Sequence, residues 1–285
     1  MTDIIINRRR AVGAMAAAAV AAVLILTAGG AWAWSSRTHA FIAERAGVRH
    51  PWYVNFPDLI RRENLPLLAP LHHHNAAPKT VVTREYVDRF SVEERDLVDP
   101  AAGGVVLRVP VPHPAGVLYR KIVDLYEAAQ GKTGWEFDYY LFCIAHYIGD
   151  LSQPLHNCPY GDKAAADGRV YPEMGRWARE MHGEFDGALD PYLPLDDEGE
   201  GLFRSFLRRV VILSVDDLKE EIARVANDAI ALAATCHGEG RIMTKREALH
   251  QAAASVSLLR AVLASLSRPA TPLPDRPPVG LREKR

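Results

Sequence analysis

The chain has 285 residues, 48% of them hydrophobic, a formal charge of −1 and three cysteines. That is enough apolar material for one large core or two small ones. The near-zero charge and the lack of a basic run argue against a surface built to attract a polyanion, and Cys143, Cys158 and Cys236 do not make a disulfide framework.

The chain begins with Arg8, Arg9 and Arg10, continues through an Ala-rich apolar stretch over 11–29, and reaches Ala31-Trp32-Ala33. A basic start, an apolar run and a small-x-small site predict a secretory signal peptide over 1–33, removed before Trp34. The expected location is therefore periplasmic or extracellular. An uncleaved membrane tether is the alternative, and the apolar run is marginal for it, since a span needs about 20 such residues. The arginines followed by Ala11-Val12 are compatible with twin-Arg as well as general export.

Helical periodicity predicts helices over 36–46, 53–68, 117–130, 134–150, 173–189, 202–214, 216–236 and 245–266. Serine opens the first, and Gly131 is a natural stop for the third. The segment 134–150 is apolar enough to be a central helix, with Trp135, Tyr139 and Tyr140 expected in the core and Cys143 as a buried thiol. Val105–Val111 is the only strand candidate, weakened by Pro110 and Pro112. From Arg268 onward five prolines and no periodicity predict a flexible tail over 268–285. The expected fold is all-α, a single compact multi-helix domain over 34–267.

The segment HYIGDLSQPLHN, residues 146–157, carries the strongest chemical signal. His146 and Asp150 stand four apart on one helix and share a face, as two ligands to one metal would. Gly149 leaves room beside them, Pro154 tends to end the helix, and the turn can return His156 to the same region. Mixed imidazole and carboxylate suits zinc. His182 and Asp186 repeat the i, i+4 spacing, though alone such a pair is as often a solvated face. Cleavage before Trp34 would leave a free α-amino group, of ordinary pKa about 7.7–8.0, beside its own carbonyl as a chelating pair, with His39 five residues on. Asp58 and the run His72-His73-His74 add further donors, one of the three histidines being a candidate ligand. His50, His113, His237 and His250 have no partner at ligand spacing and read as surface or structural residues.

Trp34 with His39, the HYIGDLSQPLH segment and the later HGEFD together resemble the zinc-dependent phospholipase C superfamily, which includes the fungal and plant single-strand nucleases. The resemblance runs from residue 34 to about 190, and the later helices suit that superfamily's all-α fold. It implies three zinc ions per chain. Trp34, through its amino nitrogen and carbonyl oxygen, would hold one with His39. Asp150 would bridge this ion to a second that also takes His146, Asp58 and His72. His72 is chosen over His73 because the 14-residue step from Asp58 suits the family. His156, His182 and Asp186 would hold the third. Asp150 and Asp58 are then the catalytic residues, the first holding the pair of zincs that carries a hydroxide toward phosphorus, the second accepting a proton.

The chain departs from the family at Pro159, where phospholipases have Asn, at Ser152 and Phe185, where nucleases have His and Trp, and at Arg37, where an acid helps hold choline. These departures bear on the substrate. Thr38-His39, Ser152, the short Asp58–His72 step and the absence of a basic groove favour a phospholipase C-like hydrolase acting on a phospholipid head group, with transient membrane-surface contact and no obligate protein partner. The Gln153-to-His156 run and the Trp34–His39 spacing suit a single-strand nuclease or 3'-nucleotidase equally well, and a non-catalytic zinc-binding protein is the alternative of another class.

Overall fold

Ser35 starts the first helix by accepting the Thr38 amide on its hydroxyl at 3.1 Å. The helix, α1 (Ser36–Ala46), stops at Gly47, whose left-handed φ of 92° lets its N–H turn back onto Ala43 and Glu44. The computed structural model describes residues 34–64, 69–99 and 104–266, so the expected signal peptide and Pro-rich tail lie outside it. Where one helix was expected over 53–68, a 3-10 turn (Pro51–Asn55) precedes α2 (Phe56–Asn64), and residues 65–68 lie outside the described part. Pro51 and Pro57 explain the division, since each suits the first turn of a helix and neither suits an interior.

After a 3-10 turn (Ala69–Leu71) and a short helix α3 (Arg84–Val87), the chain makes an antiparallel ribbon of β1 (Val92–Asp99) and β2 (Gly104–Pro112). Its register runs from Val92 opposite Pro112 to Asp99 opposite Gly104, with an irregularity at Leu97/Val98. The expected weak strand is thus one arm of a hairpin in an otherwise helical fold. Pro110 and Pro112 are tolerated because both strands of a two-stranded ribbon are edges.

The helices α4 (Leu118–Ala129), α5 (Gly134–Ser152), α6 (Pro172–Asp186), α7 (Asp197–Phe206), α8 (Val215–Glu239) and α9 (Lys245–Leu266) complete the domain. α5 is the axis. From Leu141 to Ser152 every residue is buried, which requires neighbours on all sides. It packs against α1, α4, α8 and α9. Fully buried Ile144, Ile148 and Leu151 each stabilise the fold by about 1.5–3 kcal/mol. Ser255 of α9 donates its hydroxyl to the Ile148 carbonyl at 2.7 Å, locking the two longest-buried helices in register.

Trp135 and Tyr139, expected in the core, are instead 55% and 39% exposed. Both lie in the first two turns of α5, where only Phe137 is buried, and they pack edge-on against Tyr53 and Phe56 at the surface. The helix expected over 202–214 begins earlier, at Asp197, and ends at Phe206. Asp196 caps it by accepting the Gly199 amide at 2.8 Å. Beyond it the Arg208 amide donates to Ser257 rather than back along a helix, and Ser214 with Asp217 forms the capping box that opens α8. α6 ends at Asp186, three residues short of the expected limit, and a 3-10 turn (Asp190–Tyr192) follows. The three cysteines are buried free thiols, and burial pushes the Cys143 pKa up to about 11.

Candidate metal centre

The last two turns of α5 present His146 and Asp150, with His146 Nε2 3.4 Å from Asp150 Oδ2. α1 lays the His39 ring flat on His146, centroids 4.2 Å apart and planes 18° apart. This places His39 Nε2 3.3 Å from Asp150 Oδ1. The close approach needs Gly149, because a Cβ there would stand 2.5 Å from His39 Nδ1. α2 supplies Asp58 from its first turn, its Oδ1 3.8 Å from both His72 Nδ1 and His146 Nε2. His72, just after the 3-10 turn Ala69–Leu71, brings Nδ1 to 3.0 Å from Asp150 Oδ2 and 3.2 Å from His146 Nε2.

The chain leaves α5 through Gln153, whose side-chain oxygen accepts the Leu155 and His156 amides and so builds the 3-10 turn Pro154–Asn157. That turn returns His156 beneath α6, where its ring centroid is 5.1 Å from that of His182. His156 Nδ1 bonds the His72 carbonyl at 2.5 Å, which fixes the orientation of the ring. On α6, His182 Nδ1 lies 2.8 Å from Asp186 Oδ2, and the Gln153 amide donates to Asp186 Oδ1 at 2.7 Å.

Three sets of donors result, each with its ligand atoms within 4.8 Å of one another: His39, Asp58 and His146; His72, His146 and Asp150; His156, His182 and Asp186. The structure thus brings together all eight of the side chains singled out as metal ligands, every one of them buried. Trp34, the ninth, is not in these sets. Its indole is buried and donates to the Ser152 hydroxyl at 3.1 Å, while the next amide, of Ser35, donates to the Asp186 carbonyl at 2.9 Å. Its main chain is thereby held beside the C-terminal end of α6.

The donor sets suit cations. His72 Nδ1 and His146 Nε2 face each other across 3.2 Å with two carboxylates close by. His39 Nδ1 is buried without a hydrogen bond. An unpaired ring nitrogen at this depth costs about 1–3 kcal/mol unless a partner joins it. Burial also pushes His146 down to about 3 and His156 to about 4, against the pull of Asp150 on each. Both are therefore neutral, the form that ligates metal. These buried His/Asp clusters can hold metal ions.

Of the histidine run, only His72 enters the centre. His74 is structural: it bonds the Gly116 carbonyl through Nδ1 and the Tyr86 hydroxyl through Nε2, both at 3.0 Å. Burial lowers its pKa to about 4. His73 lies half-buried outside all three donor sets. Gln153 and Ser152 were missed as site residues. Their roles, bracing Asp186 and anchoring Trp34, depend on partners far along the chain. No family model matches the chain, and no curated protein matches it.

Proposed function

We propose that the chain is an exported zinc-dependent hydrolase of phosphoric esters, of the phospholipase C type. The observation that carries this reading is the overlap of the donor sets. His146 belongs to two of them, and Asp150 presents one carboxylate oxygen to His39 and the other to His72 and His146. A carboxylate with its two oxygens directed to two groups of imidazoles would be able to bridge two cations. Imidazole and carboxylate donors without thiolate suit zinc.

Zinc bound there would supply Lewis acidity toward phosphoryl oxygen and lower the pKa of coordinated water to about 7. The chain's own residues do the rest. Asp150 fixes the spacing of the paired sites, and His39, His72 and His146 orient them. Asp58 is the group placed to take a proton from the nucleophile. His156, His182 and Asp186 would hold a separate ion able to stabilise charge on the leaving oxygen. Gln153 ties that third set to the end of α5, so the two halves of the centre keep a fixed separation. Trp34, once cleavage frees its amine, completes the set that holds His39.

The test is elemental analysis of the exported protein beside hydrolysis of phosphatidylcholine and of single-stranded DNA. About three zincs per chain with release of a phosphorylated head group is the expected result. Release of nucleotides instead would make it a nuclease, zinc without turnover would make it a binding protein, and a zinc-free protein would overturn the reading.

A further inference from the structure

The beginning of α1 is held by a residue outside every donor set. Asp190, in the 3-10 turn after α6, accepts the Ser35 hydroxyl on Oδ1 at 2.5 Å and the Thr38 hydroxyl on the same oxygen at 3.0 Å. Ser35 Oγ in turn accepts the Thr38 amide. The result is a chain of donors, amide to hydroxyl to carboxylate, whose charged end strengthens each link. Thr38 is fully buried, so its hydroxyl has no water to fall back on. From the other side, Arg37 donates to the carbonyls of Asp190 and Leu193, clasping the turn to the helix.

The residue after Thr38 is His39, whose ring lies flat on His146 above Gly149 with no slack. The residue before Ser35 is Trp34, pinned by its indole to Ser152. A shift of α1 along or about its axis would move both. We infer that Asp190 is a positioning residue for the first metal set: its carboxylate fixes the start of α1 so that His39 and the Trp34 main chain reach the Asp150 end of the centre. This rests on the reading that these residues hold metal.

The test compares Asp190→Ala with Asp190→Asn, which keeps an acceptor oxygen, and with Ser214→Ala, which removes a cap from α8 far along the chain. Each is expressed as the full chain and recovered after export. Asp190→Ala should weaken one zinc by about 10–100-fold, so that dialysed protein keeps two ions of three. Asp190→Asn should restore most of that affinity. Ser214→Ala should lower the melting temperature with the zinc count unchanged. In the metal-free protein, amide exchange at Thr38 and His39 should quicken at least tenfold in Asp190→Ala alone. Unchanged exchange, or a zinc loss that Ser214→Ala reproduces, overturns the inference. A wild-type protein without zinc would remove the functional reading, while the exchange measurement would still decide whether Asp190 sets α1.

Discussion

Asp150 and Asp186 make the same motif twice, a carboxylate one turn after a histidine on the buried face of a helix, and their pKa values shift in opposite directions. Burial raises both. At Asp150 the surrounding imidazoles outweigh it. His146, His39 and His72 all lie within 3.4 Å of its oxygens, with His156 at 3.9 Å, and they hold the carboxyl well below its ordinary range. At Asp186 burial wins. His156 and the Gln153 amide offset it only in part, while Asp58 and Asp150 add to it, and the carboxyl is held well above its ordinary range. At nearly equal depth, the groups surrounding each carboxylate give the two shifts their opposite signs. Asp150 is thus the carboxylate around which the imidazoles gather, and Asp186 the one held chiefly by Gln153 and His182.

Substitutions should separate the two most sharply at Asp150. Asp150→Asn is expected to lose more than one zinc and activity on the order of 10³-fold or more. Full zinc content in that variant, read by elemental analysis, would break the contrast. Asp186→Asn should remove a single ion and cost about 10²-fold in rate, with the zincs near Asp150 intact. Equal metal losses in the two variants would mean that the donor sets do not act separately. Gly149→Ala should drive the His39 ring off its seat, weakening one metal by about 10–100-fold and destabilising the fold by about 1–3 kcal/mol. Titration with zinc and a thermal melt would show both.

The smallest effect lies away from the centre, at the start of α9. There Arg241 hydrogen bonds and the Thr244 cap hold the Glu247 carboxyl at about 2. A carboxyl depressed by folding contributes stability above its unfolded value of about 4.5, and that contribution fades as pH falls toward 2. Glu247→Gln should therefore cost about 1 kcal/mol or less at neutral pH, and the gap in melting temperature should close on acidification. A gap that persists at pH 2 would assign the loss to packing.

How much of this was readable in the sequence depended on whether the partners were near in the chain. Helical spacing alone puts His146 with Asp150, and His182 with Asp186, on one face each, but the second pair is singled out as a site only within the resemblance, and Gly149 could be read as space left for a neighbour. Asp58 and His72 were selected by spacing within a resemblance, since nothing in the run His72-His73-His74 says which ring turns inward. The structural reason is that His74 satisfies both nitrogens on Gly116 and Tyr86. Gln153 and Asp190 were illegible because each acts on a residue from another helix. Helix positions held better than helix limits. The ends moved where a cap such as Asp196, or a proline such as Pro57, overrode the apolar pattern.

The donors of the centre come from residues as far apart as 39 and 186, carried on α1, α2, two loops, α5 and α6. Bringing these groups together closes several long stretches of chain, which costs conformational entropy. Cations that bind the folded chain and not the unfolded one would add RT ln(1 + [M]/Kd) to its stability, about 2.7 kcal/mol for each site at a hundredfold excess over Kd. The same ions proposed for chemistry would then act as a clasp across the domain. The melting temperature would then depend on the free metal in the surroundings, and a chelator would lower it.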